Sequence, residues 1–310
     1  MTIVYIKKKE SMSIATIVNT TSNSNNSNNS NIINNNTTDI NTLYVNRIDI
    51  RLQQLKVQGR KALIPFITCG DPSAVITVQL MHALAIAGAD VIELGVPFSD
   101  PMADGPVIQK ASERALNAGM TLRGVLAVVA QYREQGGTLP IVLMGYANPI
   151  ERMGIEVFAK AAQQSGVDGV LIVDYPPEEA VEQAAIFKAY GLAPIFLISP
   201  TTSTARIQSI AATASGYIYY VSIKGITGAA TLDIAAVADK LQLIRQYTQI
   251  PLGVGFGINT PNIAADVAKI ADAVIIGSKL IQLYTQSPEG QGVQVVQDFI
   301  ATVRMAIDAP

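Results

Sequence analysis

Short apolar runs recur along the chain after residue 46, and each run ends at a turn or a polar residue. Eight of them have the length of a strand and are almost continuously apolar, which is typical of parallel strands covered on both faces. The predicted strands span residues 63–68, 91–95, 141–146, 170–174, 195–199, 217–222, 252–256 and 274–277. Segments with a helical period lie between these runs. The predicted helices span residues 75–87, 107–118, 122–135, 155–165, 178–190, 204–213, 234–247 and 262–268.

This alternation predicts an α/β fold in which the strands run parallel. Eight strand–helix units favour a single (β/α)8 TIM barrel over residues 46–310, and an open doubly wound sheet is the alternative. Several predicted strands begin shortly after a glycine, as in AGADVIELG and SGVDGVLIVD, which is typical of a helix that stops before a strand. In a barrel the functional side chains are expected at the carboxyl ends of the strands.

Residues 1–45 differ in composition from the rest of the chain. Between Asn19 and Thr42, 20 of 24 residues are Asn, Ser or Thr. Such a segment has too little apolar surface to offset the entropy of ordering it, so we predict a disordered extension outside the fold. Its serine content fits a plastid transit peptide, but no arginine precedes Arg47, and a cytoplasmic location is therefore the expectation.

The charge balance and the rare residue types limit the chemistry. The chain has 22 basic and 24 acidic residues, so neither nucleic acid nor an anionic membrane is expected as a partner. Cys69 is the one cysteine and His82 the one histidine, which excludes a disulfide framework and a multi-histidine zinc site. No metal is expected, and acid–base chemistry is expected to rely on carboxylates, tyrosine or lysine.

The segment VIELGVPFSDPMADGPVIQ carries the most distinctive chemistry. Glu93 interrupts an apolar strand near its carboxyl end, and strand alternation places it on the same face as Val91, the expected barrel interior. A carboxylate there is costly unless it is paired or kept neutral by a raised pKa, so Glu93 is either a structural buried group or an acid–base residue. The long loop that follows supplies Asp100 and Asp104, which are second carboxylates or ordinary turn residues.

Three glycine-rich strand ends, KGITGA, GVGFGIN and IIGSKL, have the composition of anion cradles. In TIM barrels the loops after the seventh and eighth strands commonly bind phosphate through backbone N–H groups. GVGFGIN lacks the spacing of the dinucleotide fingerprint and follows a late strand, so it does not indicate a dinucleotide site. Tyr219 and Tyr220 are consecutive on a predicted strand, so only one of them faces the barrel interior.

Six motifs follow the order and spacing of one known family. They are FITCGDP (66–72), IELGVPFSDPMADGP (92–106), MGYANP (144–149), DGVLIVDYPPEE (168–179), YYVSIKGITGA (219–229) and GVGFGI (253–258). With these motifs, the chain from about Arg47 onward resembles the tryptophan synthase alpha subunit family. The resemblance implies a TIM barrel that cleaves indole-3-glycerol phosphate to indole and glyceraldehyde 3-phosphate by a retro-aldol reaction, without a metal or an organic cofactor.

The resemblance also implies roles for single residues. Glu93 would exchange protons with indole C3 and the glycerol hydroxyl, Asp104 would accept a hydrogen bond from the indole N–H, and Tyr219 would lie beside the glycerol chain. The residues that match the apolar indole pocket of the family are Phe66, Met144, Leu171 and Phe256. Those that match its phosphate site are Gly228, Gly257, Gly277 and Ser278.

A partner protein is implied as well. Residues 224–232 match a mobile loop that closes over the site and contacts Asp100 through Thr227, and Pro97 is assigned to the same closure and partner region. The expected assembly is an α2β2 heterotetramer in which indole passes to a beta subunit that carries pyridoxal phosphate. Two alternatives stay open, a lyase that works alone and a catalytically silent barrel that only activates the beta subunit.

Overall fold

The computed structural model describes residues 46–175, 180–222, 233–255 and 257–309, so the predicted disordered extension at residues 1–45 lies outside these ranges. The strands are β1 (Ala62–Thr68), β2 (Ile92–Gly95), β3 (Ile141–Gly145), β4 (Gly169–Ile172), β5 (Ala193–Ile198), β6 (Ile218–Val221), β7 (Leu252–Gly255) and β8 (Ala273–Ile276). Each strand pairs in parallel with the next, and β8 pairs with β1, so the sheet closes. The TIM-barrel prediction is confirmed, and the open-sheet alternative is wrong.

Helices surround the barrel and cover one of its ends. Within the described ranges they are α1 (Arg47–Val57), α2 (Ala74–Ile86), α3 (Pro106–Asn117), α4 (Leu122–Glu134), α5 (Ala147–Met153), α6 (Ile155–Ser165), α7 (Ala180–Ala189), α8 (Thr204–Thr213), α9 (Ile234–Arg245), α10 (Pro261–Ile270), α11 (Ser278–Gln286) and α12 (Gly292–Asp308). The eight predicted helices are present, whereas α1, α5, α11 and α12 were not predicted. Among the described residues, no helix has both the length and the apolar character needed to cross a membrane.

Strand side chains alternate between two apolar layers. Inward-facing residues such as Val91 form an inner cluster, and outward-facing residues such as Ile92 pack against the surrounding helices. Glu93 follows Ile92 on β2, is fully buried and therefore lies on the inner face, as predicted. Tyr219 belongs to the inner cluster and Tyr220 to the outer one, which confirms that only one of these tyrosines faces the interior.

The first helix closes the amino end of the barrel. The buried residues Ile48, Leu52 and Leu55 of α1 belong to the same inner cluster as the inward-facing strand residues. They are the only buried residues among the 11 of this helix, so its apolar stripe is narrow. The helix is therefore stabilised mainly by packing against the barrel, which local sequence patterns do not reveal.

Two buried carboxylates fasten α1 to this end. An Arg47 nitrogen lies 2.6 Å from a carboxylate oxygen of Asp168, and an Arg51 nitrogen lies 2.6 Å from one of Asp90. Both aspartate side chains are fully buried, and Asp168 also accepts a hydrogen bond from the backbone N–H of Ile141 at 2.8 Å. Buried carboxylates of this kind hold the amino end of a barrel together, while function belongs to the opposite end.

Candidate active site

A cavity of about 310 Å³ opens at the carboxyl ends of the strands. All eight strands, or the loops that follow them, contribute to its wall. The wall contains the carboxyl groups of Glu93 and Asp104, the hydroxyl-bearing Tyr219, an apolar section and a glycine-rich section. Cavities of about 300–1,000 Å³ hold small organic ligands. The structure thus brings the three predicted catalytic residues to one site of ligand size.

Glu93 is the fully buried acid of this site. The hydroxyl of Tyr217 donates a hydrogen bond to Oε1 of Glu93, whereas Oε2 is buried without a hydrogen-bond partner among the described residues. Burial raises the pKa of Glu93 to about 8, and the hydrogen bond from Tyr217 opposes part of this rise. A carboxyl group with such a pKa is protonated at neutral pH, so Glu93 can donate a proton there.

Tyr217 is a candidate that the sequence analysis did not single out. It directly precedes β6, and its fully buried side chain belongs to the inner cluster. Burial and the neighbouring Glu93 carboxyl group hold the pKa of Tyr217 well above the ordinary value, so its hydroxyl stays a donor. A signal was available in the sequence, because strand alternation places Tyr217 on the same face as Tyr219.

Asp104 lies in the loop between β2 and α3 and is half-buried. The hydroxyl of Tyr146 donates to Oδ2 of Asp104 at 3.0 Å, and the backbone N–H of Ala103 donates to the same hydroxyl oxygen at 3.0 Å. Burial raises the pKa of Asp104 to about 6, and the bond from Tyr146 opposes this rise. Asp104 therefore remains mostly ionised at pH 7, and its pKa differs from that of Glu93 as an acid and a base require.

Glycines make room for two aromatic side chains of the wall. A Cβ atom on Gly255 would lie 2.0 Å from the hydroxyl oxygen of Tyr219, and one on Gly95 would lie 2.6 Å from Cζ of Phe66. Both aromatic side chains are buried and contribute to the cavity wall. The shape of the cavity therefore depends on positions in β2 and β7 that carry no side chain.

Phe66, Met144 and Ile108 belong to the apolar section of the wall. Leu171 was also predicted for an apolar pocket, but it is fully buried in the inner cluster, pairs in register with Met144 and does not form part of the wall. Phe256 lies outside the described residues. The apolar section offers a surface for a planar ring, and direct contacts of Leu171 and Phe256 with a ligand stay predictions.

The glycine-rich section consists of Gly257, Gly277 and Ser278. Gly257 has a φ of +76°, a conformation that favours glycine, and Gly277 directly precedes α11, which begins at Ser278. The first N–H groups of a helix have no partner inside the helix, so they can bind an anion. Gly228 and Thr227, predicted for the phosphate site and the closing loop, lie outside the described residues.

The loop before Asp104 carries the residues assigned to loop closure and partner contact. Asp100 is exposed and accepts a hydrogen bond from the Ser99 hydroxyl at 2.6 Å, whereas Pro97 is buried. Neither residue is part of the cavity wall. Met102, close to them in this loop, has 79% of its surface exposed. In the described part of the chain, no group of three or more His, Cys, Asp or Glu side chains could hold a metal ion.

The family model and the relatives that match this chain carry the same description. The family model described as Tryptophan synthase alpha chain matches residues 52–308. The tryptophan synthase alpha chain of Ralstonia nicotianae is 58% identical over 265 residues, which cover 86% of this chain and 100% of the relative. That of Dechloromonas aromatica is 57% identical over 264 residues, which cover 85% of this chain and 98% of the relative.

Solved structures agree with this result. The crystal structure of tryptophan synthase subunit alpha from Legionella pneumophila has a TM-score of 0.79 and 43% identity, and the alignment covers 85% of this chain and 99% of that chain. A structure of Mycobacterium tuberculosis tryptophan synthase has a TM-score of 0.78 and 32% identity, with 86% and 100% covered. This chain therefore belongs to the tryptophan synthase alpha chain family, the lyases of tryptophan biosynthesis that cleave indole-3-glycerol phosphate.

Proposed function

We propose that Glu93 and Asp104 cleave indole-3-glycerol phosphate as an acid–base pair with divided roles. The observation that carries this proposal is that both residues lie in the wall of one cavity, while burial raises the pKa of Glu93 to about 8 and that of Asp104 only to about 6. Near pH 7 Glu93 then enters the reaction protonated and Asp104 enters it ionised.

The reaction begins with transfer of the Glu93 proton to C3 of the indole ring. Positive charge then develops at the ring nitrogen, and Asp104 stabilises it by accepting a hydrogen bond from the indole N–H. The Glu93 carboxylate next removes the proton of the glycerol hydroxyl next to the ring. The bond between C3 and the glycerol chain breaks and its electron pair returns to the ring. Indole and glyceraldehyde 3-phosphate are released, and Glu93 is protonated again.

The hydrogen bond from Tyr217 supports this double role of Glu93. It occupies Oε1, so Oε2 is the carboxyl oxygen that is left to hold the moving proton. The substrate would lie with its ring against Phe66 and Met144, with its glycerol chain beside Tyr219 and with its phosphate at the glycine-rich section. In this orientation one molecule spans the acid–base pair and the anion-binding backbone of the same cavity.

The mechanism needs neither a metal ion nor an organic cofactor, because the two carboxyl groups supply both proton transfers and the charge stabilisation. Full activity after dialysis against a chelator is the expected result, and activity that returns only with added metal would contradict it. We further propose a cytoplasmic location. The supporting observation is that Cys69, the one cysteine, is free and buried, so the fold requires no oxidising compartment.

The proposed partner is a beta subunit that carries pyridoxal phosphate and receives the indole. The proposed assembly is an α2β2 heterotetramer. The loop between β2 and α3 contains Asp100, the highly exposed Met102 and Asp104, so a partner that contacts this loop would lie near the cavity. A lyase that works alone and a silent barrel that only activates the beta subunit are the alternatives. The presence of both carboxylates in one cavity argues against a silent barrel.

Indole release from indole-3-glycerol phosphate, measured with and without an added beta subunit, tests this proposal. Slow release that the beta subunit strongly accelerates is expected. Fast release that the beta subunit leaves unchanged would favour the lyase that works alone. No release under either condition, together with activation of the beta subunit, would favour the silent barrel. Glu93→Gln serves as the background control, since it keeps the side-chain shape and removes the transferable proton.

A further inference from the structure

Lys279 is the only cationic side chain in the described part of the cavity wall, and the sequence analysis did not select it. It is the second residue of α11 and is half-buried. Among the described residues, no hydrogen bond or ion pair engages its ammonium group, whereas Lys269 on α10 pairs with Asp266. A half-buried lysine without such a partner has its charge available for a ligand.

The surroundings of Lys279 resemble an anion site. Gly277 and Ser278 directly precede Lys279 in the chain and are also part of the wall. The N–H groups at the start of α11 form the positive end of the helix dipole, which attracts anions. Gln282 follows one helical turn later, on the same face of α11, and is also part of the wall. Backbone donors, an amide side chain and a cation thus meet at one section of the cavity.

The charges of the wall are distributed unevenly. When Glu93 is protonated, the described residues of the cavity wall carry one negative charge, on Asp104, and one positive charge, on Lys279. A substrate with a doubly charged phosphate at one end is repelled by Asp104 and attracted by Lys279. The positive charge of Lys279 therefore favours a phosphate group beside α11 over one beside Asp104.

We propose that Lys279 is a specificity-determining residue that selects substrates with a phosphate group by binding that group. This inference rests on the proposed function, because it takes indole-3-glycerol phosphate as the ligand of the cavity. The phosphate does not take part in bond breaking, so its contact with Lys279 is the same in the ground state and in the transition state. Uniform binding of this kind affects KM and leaves kcat unchanged.

The test compares wild type, Lys279→Gln and Lys279→Arg, with Lys160→Gln on the exposed face of α6 as a charge-matched control. Lys279→Gln loses one charged hydrogen bond to the phosphate, which corresponds to about a tenfold rise in KM. Its kcat should stay within about twofold of wild type. The inhibition constant of inorganic phosphate should rise in parallel. Lys279→Arg should keep KM and the phosphate inhibition constant close to their wild-type values. Lys160→Gln should leave both constants unchanged.

Three outcomes would overturn the proposal. An unchanged KM and phosphate inhibition constant in Lys279→Gln, with an active wild type, would overturn the role of Lys279 alone. A fall in kcat at constant KM would mean that Lys279 acts on the reaction step. A wild type that does not cleave the substrate would overturn this proposal and the proposed function together. Should Lys279→Gln fail to fold, Lys279→Met keeps the apolar stem of the side chain and removes the same charge.

Discussion

The hydroxyl of Tyr217 donates a hydrogen bond to Oε1 of Glu93 inside the barrel, where both side chains are fully buried. The contact joins residues that are 124 positions apart in the chain and come from opposite parts of the barrel sequence. It fixes the orientation of the carboxyl group and opposes the rise in the pKa of Glu93 that burial causes. Tyr217 is therefore a positioning residue for the acid of the proposed mechanism.

Tyr217→Phe should move the alkaline limb of the pH–rate profile to higher pH. The substitution removes a hydrogen bond that stabilises the ionised form of Glu93, so the pKa of Glu93 should rise further above about 8. Because the reaction needs protonated Glu93, activity should persist to higher pH while the maximal kcat falls about tenfold through lost orientation. An alkaline limb at the wild-type position would show that Tyr217 does not act on Glu93 in solution.

Tyr146→Phe should affect the acidic limb instead. The hydrogen bond from Tyr146 lowers the pKa of Asp104, so its removal should raise that pKa above about 6. Ionised Asp104 is the active form, and activity should therefore be lost at a higher pH on the acidic side while the alkaline limb stays in place. The control is Tyr190→Phe, at the end of α7, which should leave both limbs unchanged. A shift of the alkaline limb in Tyr146→Phe would contradict the assignment.

Glu93→Gln should make the fold more stable than wild type at alkaline pH. The folded protein keeps the Glu93 proton up to about pH 8, whereas the unfolded chain releases it near the ordinary pKa of 4.5. Between these values the free energy of unfolding of wild type falls with increasing pH, and that of the variant does not. Urea unfolding at several pH values should show the difference grow to about 4 kcal/mol at pH 8. A difference independent of pH would mean that Glu93 is ionised in the folded state.

Gly255→Ala should reduce activity strongly, because the new Cβ would lie 2.0 Å from the Tyr219 hydroxyl oxygen and would force the ring out of its place. Gly253→Ala on the same strand is the matched control. A Cβ at Gly253 would meet first the end of the flexible Ile275 side chain, at 2.9 Å, which can move. We expect a loss of kcat/KM of at least about 100-fold for the first variant and less than about fivefold for the second. Equal losses would contradict this role of Gly255.

The barrel could be predicted because its strands are buried on both faces and therefore stand out as apolar runs. The second strand, for example, was predicted at residues 91–95 and is found at Ile92–Gly95. The helices α5 and α11 escaped prediction because they are short and follow strands almost directly, so little periodicity can develop. The first helix escaped because its stability comes from packing against the barrel end.

The two carboxylates of the candidate site could be predicted from the sequence, but the side chains that donate hydrogen bonds to them could not. Glu93 stood out as a charge within an apolar strand, and Asp104 as a carboxylate in a long loop at the catalytic end. Which tyrosine hydroxyl reaches which carboxylate depends on the barrel geometry, since Tyr146 and Asp104 are 42 residues apart. Lys279 was not selected because its role depends on its position in the wall of the folded cavity.

The role of Glu93 as the acid–base group is tested by single-turnover indole release from indole-3-glycerol phosphate, measured for wild type and Glu93→Gln over about pH 5 to 9. We expect a bell-shaped profile for wild type, with limbs set by the pKa values of Asp104, about 6, and Glu93, about 8. Glu93→Gln should release indole at least about 100-fold more slowly, without the alkaline limb. Release by Glu93→Gln at a rate within tenfold of wild type would contradict Glu93 as the acid–base group.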